Sequence, residues 1–345
     1  MLIKTIRAAL AACLLVVAGL PAQAQMNLAT STLTAVKKRD QLVCGVNGEL
    51  PGFSQQNAQK QWLGFDVEFC RAIAAAAIGD STKVKFVPLS TAKRFEALRS
   101  GEIDVLVRNT TVTLERGAGS DMRYAAVTYI DGQRLVVPKR LAISRADQLG
   151  GSTICVLKGT THEQNVDWFT ARNLTVTMMP FETLAAMYEA FYLGRCTAVT
   201  QDSTSLAASI VASGRAAEYL MLPDIISNEP LGPFLRAGDQ IWLDVVRWTH
   251  YAMLTAEEHG VTSANVDARK KASDDTAVRR LLGVVPGNGK ALKLDEDWAY
   301  RIIKQVGNYG ESFDRNFGSQ SPLKFDRGIN ALWGKGGALY TLPMR

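Results

Sequence analysis

Short apolar runs alternate with helical periodicities along most of this chain. "QLVCGVN", "KVKFVPLS" and "IDVLVRN" are β-rich runs bounded by polar residues. Between them, "GFDVEFCRAIAAAAIG" and "TAKRFEALRSGE" carry apolar residues at helical spacing and stop at Gly79 and Gly101. The pattern predicts strand, helix, strand, helix, strand, with Ser90 or Thr91 as N-cap of the second helix. That order pairs the strands in parallel through right-handed crossovers. Ligands of parallel sheets gather beyond the carboxyl ends of the strands, so residues 47–53, 90–94 and 108–116 share one expected rim.

The pattern then repeats with different residues. "STICVLKGTTHEQNVDWF" reads as strand, turn and helix, and "TVTMMPFETLAAMYEAFYLGRCTAVTQDSTSLAASI" as strand, helix, strand and helix. "TLAAMYEAFYLGRCTAVTQD" has the layout of "TAKRFEALRSGEIDVLVRN": helix, glycine stop, apolar strand ending in polar groups. Two α/β lobes of similar design are expected, joined by two extended crossings, "VTYIDGQRLVV" and "IISNEPLGPFL". The expected boundaries are 25–130 for the first part of lobe 1, 131–228 for lobe 2, and 229–345 for the return to lobe 1 with its C-terminal helices.

The start of the chain stands apart. "MLIKTIRAALAACLLVVAGLPAQAQ" has Lys4 and Arg7, an apolar run, and Ala22-Gln23-Ala24 as a small-x-small cleavage site. This is the layout of a secretory signal over residues 1–24, removed after Ala24 to give an exported protein. Leu10 to Cys13 resembles a lipoprotein box, but the apolar run continues past it. No later segment reaches eighteen consecutive apolar residues, the length of a membrane helix.

At 345 residues the chain is long enough for two cores of ordinary size. The formal net charge of +6 falls by two without Lys4 and Arg7, and the remaining cations are scattered, which argues against nucleic acid as a partner.

Cys44, Cys70, Cys155 and Cys196 remain after cleavage. An even number in an exported chain points to two disulfides, for which sequence permits three connectivities. Cys44 with Cys70 and Cys155 with Cys196 is the favoured pairing, because each bridge then lies within one lobe and leaves the lobes free to move. Each would contribute roughly 3–4 kcal/mol in the chain-entropy account. The cysteines lack C-x-x-C spacing, so no metal site is expected, and no motif calls for a cofactor.

The strand ends hold the candidate chemistry. Arg116 offers a planar fork that matches a carboxylate in two charge-assisted hydrogen bonds, and Asn109 and Thr111 end the strand before it. Asp202 ends the matching strand of the second lobe, where a carboxylate would pair with an ammonium or cap the next helix. Gly159-Thr160-Thr161 sits at a strand-to-helix junction, which favours anions. Enzymatic motifs are missing: His162, His250 and His259 are the only histidines, and there is no G-x-S-x-G, H-E-x-x-H or Walker spacing.

"GFDVEFCRAIAAA", "RFEALRSGEIDVLVRNTTVTLER", "VLKGTTHEQN", "DIISNEPLGP", "WTHYAMLTAEEHG" and "VGNYGESFDRNFGSQSPLKFDRGINALW" together resemble the periplasmic amino-acid-binding proteins of bacterial ABC transporters, solute-binding family 3, of the general L-amino-acid type. The resemblance spans nearly the whole mature chain. It implies the type II periplasmic-binding-protein-like fold, in which two α/β lobes joined by two crossover strands close on a ligand. It also implies a monomer that takes free L-amino acids to membrane permease subunits and is not an enzyme.

By motif, Arg116 would clamp the α-carboxylate with Thr111, Thr160 and Thr161, and Asp202 would take the α-ammonium. Asn109 would add a contact, and Leu50, Phe53 and Arg94 would border the side-chain pocket. Where many relatives have an aromatic this chain has Leu50, and where they have an acid it has Asn47, so broad specificity is expected over selectivity for basic side chains. The rival reading is an exported enzyme on the same scaffold, such as a dehydratase of an amino-acid-like carboxylate.

Overall fold

The computed structural model describes residues 31–119 and 121–344; the expected signal segment, its cleavage point after Ala24 and Cys13 lie outside them. Thr32–Arg345 form one compact unit, built as a two-lobed α/β fold on two main sheets.

In the first sheet the strand Leu42–Val46 is buried at every position because it pairs in parallel on both sides, with Val84–Pro88 and Val105–Leu106. Its "LVCGV" run is therefore apolar throughout rather than alternating. The helix Phe65–Ile78 covers one face with an almost unbroken buried alanine run. Its start requires glycine: Gly64 has φ 129°, and a Cβ there would lie 2.1 Å from the Phe53 carbonyl oxygen. Gly79, in the left-handed conformation, ends it. The Cys44–Cys70 disulfide fastens this helix to the strand Leu42–Val46 across 26 residues of chain.

Two features depart from the simple parallel pattern. The strand Phe234–Arg236 returns antiparallel between Val105–Leu106 and Met122–Tyr124, so chain from after the second sheet completes the first. Between the first strand and its helix, Glu49–Leu50, Ser54–Gln56 and Trp62–Leu63 form a small antiparallel meander, for which the sequence pattern held no expectation.

The second sheet runs Thr177–Phe181, Thr153–Leu157, Ala198–Asp202, Tyr129–Pro138, Tyr219–Met221, with Ser227–Leu231 also paired to Tyr129–Pro138. The helix Leu184–Tyr192 buries Leu184, Met187, Tyr188 and Phe191, a stripe at 3.6-residue period in which each buried side chain contributes about 1.5–3 kcal/mol. Thr183 caps it by accepting from the Ala186 N–H. The Cys155–Cys196 disulfide closes 41 residues here.

The crossings lie side by side. Tyr129–Pro138 leads out of the first sheet, and Ser227–Leu231 leads back toward Phe234–Arg236. The segment 110–112 is stitched to the return crossing by Val112 N–H to Pro230 O at 2.7 Å and Gly232 N–H to Thr110 O at 3.0 Å. Gly232 has no room for a side chain, since a Cβ would sit 2.1 Å from the Ala126 carbonyl oxygen. The C-terminal stretch grips the outgoing strand: Asn330 accepts from the Ile130 N–H and donates to its carbonyl, at 2.7 and 2.8 Å. Among the described residues no helix is long and apolar enough to cross a membrane.

Candidate functional site

Strand ends from both sheets meet at one cavity between the lobes. Past Val105–Leu106 the chain carries Arg108, Asn109, Thr110 and Thr111, then the short helix Leu114–Gly117 that holds Arg116. Asn109 adopts φ 33°, a left-handed conformation that asparagine tolerates better than most residues. The buried Asp66 holds that turn by accepting from the Asn109 N–H at 2.9 Å. Burial raises the Asp66 carboxyl to about 7, against the lowering effects of that bond and of Arg108. Asn47 donates to Asn109 Oδ1 at 3.3 Å.

Three guanidinium groups line this side. Arg116 donates to the Thr111 carbonyl at 3.0 Å and stands 5.6 Å from the centre of the Phe95 ring, which Arg94 also approaches, at 4.7 Å. Arg108 donates from Nε to Leu89 O at 2.8 Å and from Nη2 to Thr91 Oγ1 at 3.2 Å. Arg94 is buried, bonds at 3.4 Å to Gly159 O, and its Nε has no partner among the described residues. Burial pushes Arg94 well below the usual guanidinium range; repulsion from Arg108 and Arg116 adds to this, and Asp202 opposes it. Burial likewise brings Arg108 to about 10, opposed by Asp66 and Glu49. Three guanidinium groups partly or wholly withdrawn from water on one side of a cavity favour an incoming anion.

The opposite side is acidic. Asp202 is buried at the end of Ala198–Asp202, and its side chain makes no cap bond to the helix after it. Asp131, on the outgoing crossing, caps that helix instead by accepting from the Thr204 N–H at 3.1 Å and from Ser203 Oγ. Asp202 is thus released from capping and meets His162 Nε2 at 3.0 Å. Burial lowers the His162 pKa, but the charge and hydrogen bond of Asp202, with Glu229 and Asp131, more than offset this and hold it above the ordinary imidazole value. Burial and the nearby Asp202 raise Asp131 to about 6.

Glu229, on the return crossing, ties the two sides together. Its Oε2 accepts from Thr111 Oγ1 at 2.7 Å and from Thr161 Oγ1 at 2.9 Å, while Ser227 donates to Oε1. One carboxylate oxygen therefore joins a hydroxyl from each strand end. Ligand atoms of His162, Asp202 and Glu229 lie within 4.8 Å of one another, the donor types of a metal site. All three are already engaged in hydrogen bonds within the protein.

The cavity is lined by the expected Arg116, Asp202, Asn109, Thr111, Thr160, Thr161, Leu50 and Arg94. Phe53 is a correction. Its ring packs in the core 5.5 Å from Tyr129 and 4.9 Å from Phe317 and does not line the cavity, because the small meander turns it inward while Leu50 faces the site. Leu157, Leu184 and Gln201, which sequence reading did not single out, also line it, as does Arg108, which the sequence placed on the rim as the first polar residue after an apolar strand but without a role.

Residues 42–319 match the family described as bacterial extracellular solute-binding proteins, family 3. The chain is similar to the general L-amino acid-binding periplasmic protein AapJ of Rhizobium johnstonii, with 46% identity covering 99% of each. It is also similar to the glutamate/glutamine/aspartate/asparagine-binding protein BztA of Rhodobacter capsulatus, 46% identical over 91% of this chain and 94% of that one. A periplasmic binding protein from Brucella ovis with glutathione bound superposes with a TM-score of 0.89 at 48% identity, covering 91% of this chain and 99% of the other.

Proposed function

Because the chain belongs to family 3 of the bacterial extracellular solute-binding proteins, we propose that it is a periplasmic receptor that captures L-amino acids between its lobes and delivers them to the permease of an ABC transporter. It works as a monomer, with broad specificity and no chemical turnover. In this reading the signal segment is cut after Ala24, the lobes divide near residues 130 and 229, and the paired crossings are the hinge.

The observation that carries the reading is that Arg116, on a short helix beyond the first sheet, and Asp202, at a strand end of the second, line one cavity. Arg116 takes the α-carboxylate and Asp202 the α-ammonium. The Thr111 and Thr161 hydroxyls are turned to Glu229, so these residues and Thr160 serve by shaping the carboxylate end and by their backbone groups. Asn109 adds a contact at the strand end, and Leu50 and Arg94 border the side chain. A ligand shifts the lobes only through its preference for the closed arrangement, and contacts divided between two sheets supply that preference.

Removing one member of a desolvated charge pair costs about 3–5 kcal/mol, at ~1.4 kcal/mol per decade of affinity. Arg116→Ala is accordingly expected to weaken L-amino-acid binding by about two to three and a half orders of magnitude in calorimetry. Wild-type affinity in a folded variant contradicts the assignment.

A further inference from the structure

The amino-acid cage adjoins a second cavity of about 510 Å³, against about 20 Å³ left in the cage itself. Asn47, Arg108, Leu157 and Leu184 line both and form a neck between them. The residues assigned to the zwitterion, Arg116, Thr111, Thr160, Thr161 and Asp202, border the inner space alone. An α-amino acid held by these groups therefore directs its side chain through the neck.

The chemistry of the neck and outer chamber selects the kind of tail that can extend from the amino-acid head. Arg108 is buried, and its Nε and Nη2 are committed to Leu89 and Thr91, which fixes the guanidinium plane. Nη1 has no protein partner among the described residues and remains to donate to a carbonyl or carboxylate oxygen on the passing side chain. Leu157 and Leu184 suit the methylenes on either side of such a group. Beyond the neck, Trp62 and Phe86 form an aromatic wall with rings 5.4 Å apart, and Ser90, Thr91 and Glu182 supply hydroxyl and carboxylate groups. This combination fits an amide-linked tail better than a bare hydrocarbon.

We infer that the site accepts γ-glutamyl compounds, α-amino acids extended by an amide at the side-chain carboxyl, with the tail in the outer chamber. The inference rests on the zwitterion reading above and adds a second class of cargo to free amino acids.

Calorimetry on the mature protein tests it with L-glutamine, N5-alkyl-L-glutamines of increasing length, γ-L-glutamylglycine and α-L-glutamylglycine. The γ-linked ligands are expected to bind within about tenfold of L-glutamine. The α-linked isomer, whose α-carboxylate is consumed by the peptide bond, is expected to bind at least about a hundredfold more weakly. Ser90→Trp and Gln56→Trp place bulk at exposed positions lining the outer chamber. Each is expected to weaken γ-L-glutamylglycine at least about tenfold and leave L-glutamine within about twofold.

A loss of about a hundredfold on any N5 extension, with L-glutamine still bound, overturns the inference alone. So does an equal effect, or no effect, of both tryptophan variants on the two ligands. Failure of every free L-amino acid to bind overturns the zwitterion reading and the inference with it.

Discussion

The two walls of the cavity are built alike and charged oppositely. Each is the end of an apolar strand that emerges beside a helix stopped by glycine, at Gly101 in one lobe and Gly194 in the other. The first wall gathers Arg94, Arg108 and Arg116; the second gathers Asp202, with Asp131 and Glu229 close behind. The repeated architecture therefore supplies position, and a few residues at the strand ends supply polarity. On the proposed assignment neither wall alone offers partners to both ends of a zwitterion, so binding and closure would become one event.

The contrast breaks most severely when one wall loses its sign. Asp202→Asn keeps the shape and removes the charge, and is expected to weaken L-amino-acid binding about a hundredfold or more. Calorimetry on a variant with the wild-type melting temperature checks this, and an unchanged affinity refutes the role of the acidic wall.

Removing the staples tests whether the lobes are held separately. Replacing both cysteines of a pair by serine is expected to lower stability by roughly 3–4 kcal/mol, slightly more for Cys155 and Cys196 because their loop is longer. Each bridge sits away from the cavity wall, so affinity measured at low temperature should remain within about threefold. Denaturant unfolding and calorimetry on the same samples separate the two effects.

The mildest test concerns pH. A proton on His162 neutralises Asp202 and repels the arriving ammonium, so binding is expected to release that proton. Because the His162 pKa is raised, its contribution to folding is present below the unfolded value and is lost as pH rises through the folded one. Ligand affinity runs the opposite way, rising over that window by at most about tenfold per pH unit for one proton. Asp131, brought up to about 6, ionises nearby and favours the ammonium in the same direction. His162→Gln should flatten the profile to the part that Asp131→Asn then removes. An undiminished slope in both variants excludes this pair as its source.

Much of the architecture is legible in the chain because its signals are local. The apolar period, the glycine stops and the strand ends at Asn109 and Asp202 can be read over windows of about twenty residues. The features that escaped depend on distant segments. Glu229 reads as part of a connecting stretch, and only folding brings it to Thr111 and Thr161, 118 and 68 residues away. Asp202 at a helix start resembles a cap, and the structure assigns that duty to Asp131, more than seventy residues earlier. Phe53 and Leu50 are three positions apart in one apolar segment, and only the turn of the small meander decides which faces the cavity. The antiparallel return of Phe234–Arg236 is likewise a matter of topology that no local pattern encodes.

The central claim is that the two walls hold opposite ends of one zwitterion, and ligand analogues interrogate it directly. Calorimetry would compare L-glutamine with 4-aminobutanamide, which lacks the α-carboxylate, and with glutaramate, which lacks the α-amino group, against wild type, Arg116→Ala and Asp202→Asn. The account predicts that wild type discriminates strongly against both analogues, that Arg116→Ala no longer distinguishes L-glutamine from the amine, and that Asp202→Asn no longer distinguishes it from the acid. If each variant keeps the full wild-type discrimination against its matched analogue, the two residues do not hold the two ends, and the account is wrong.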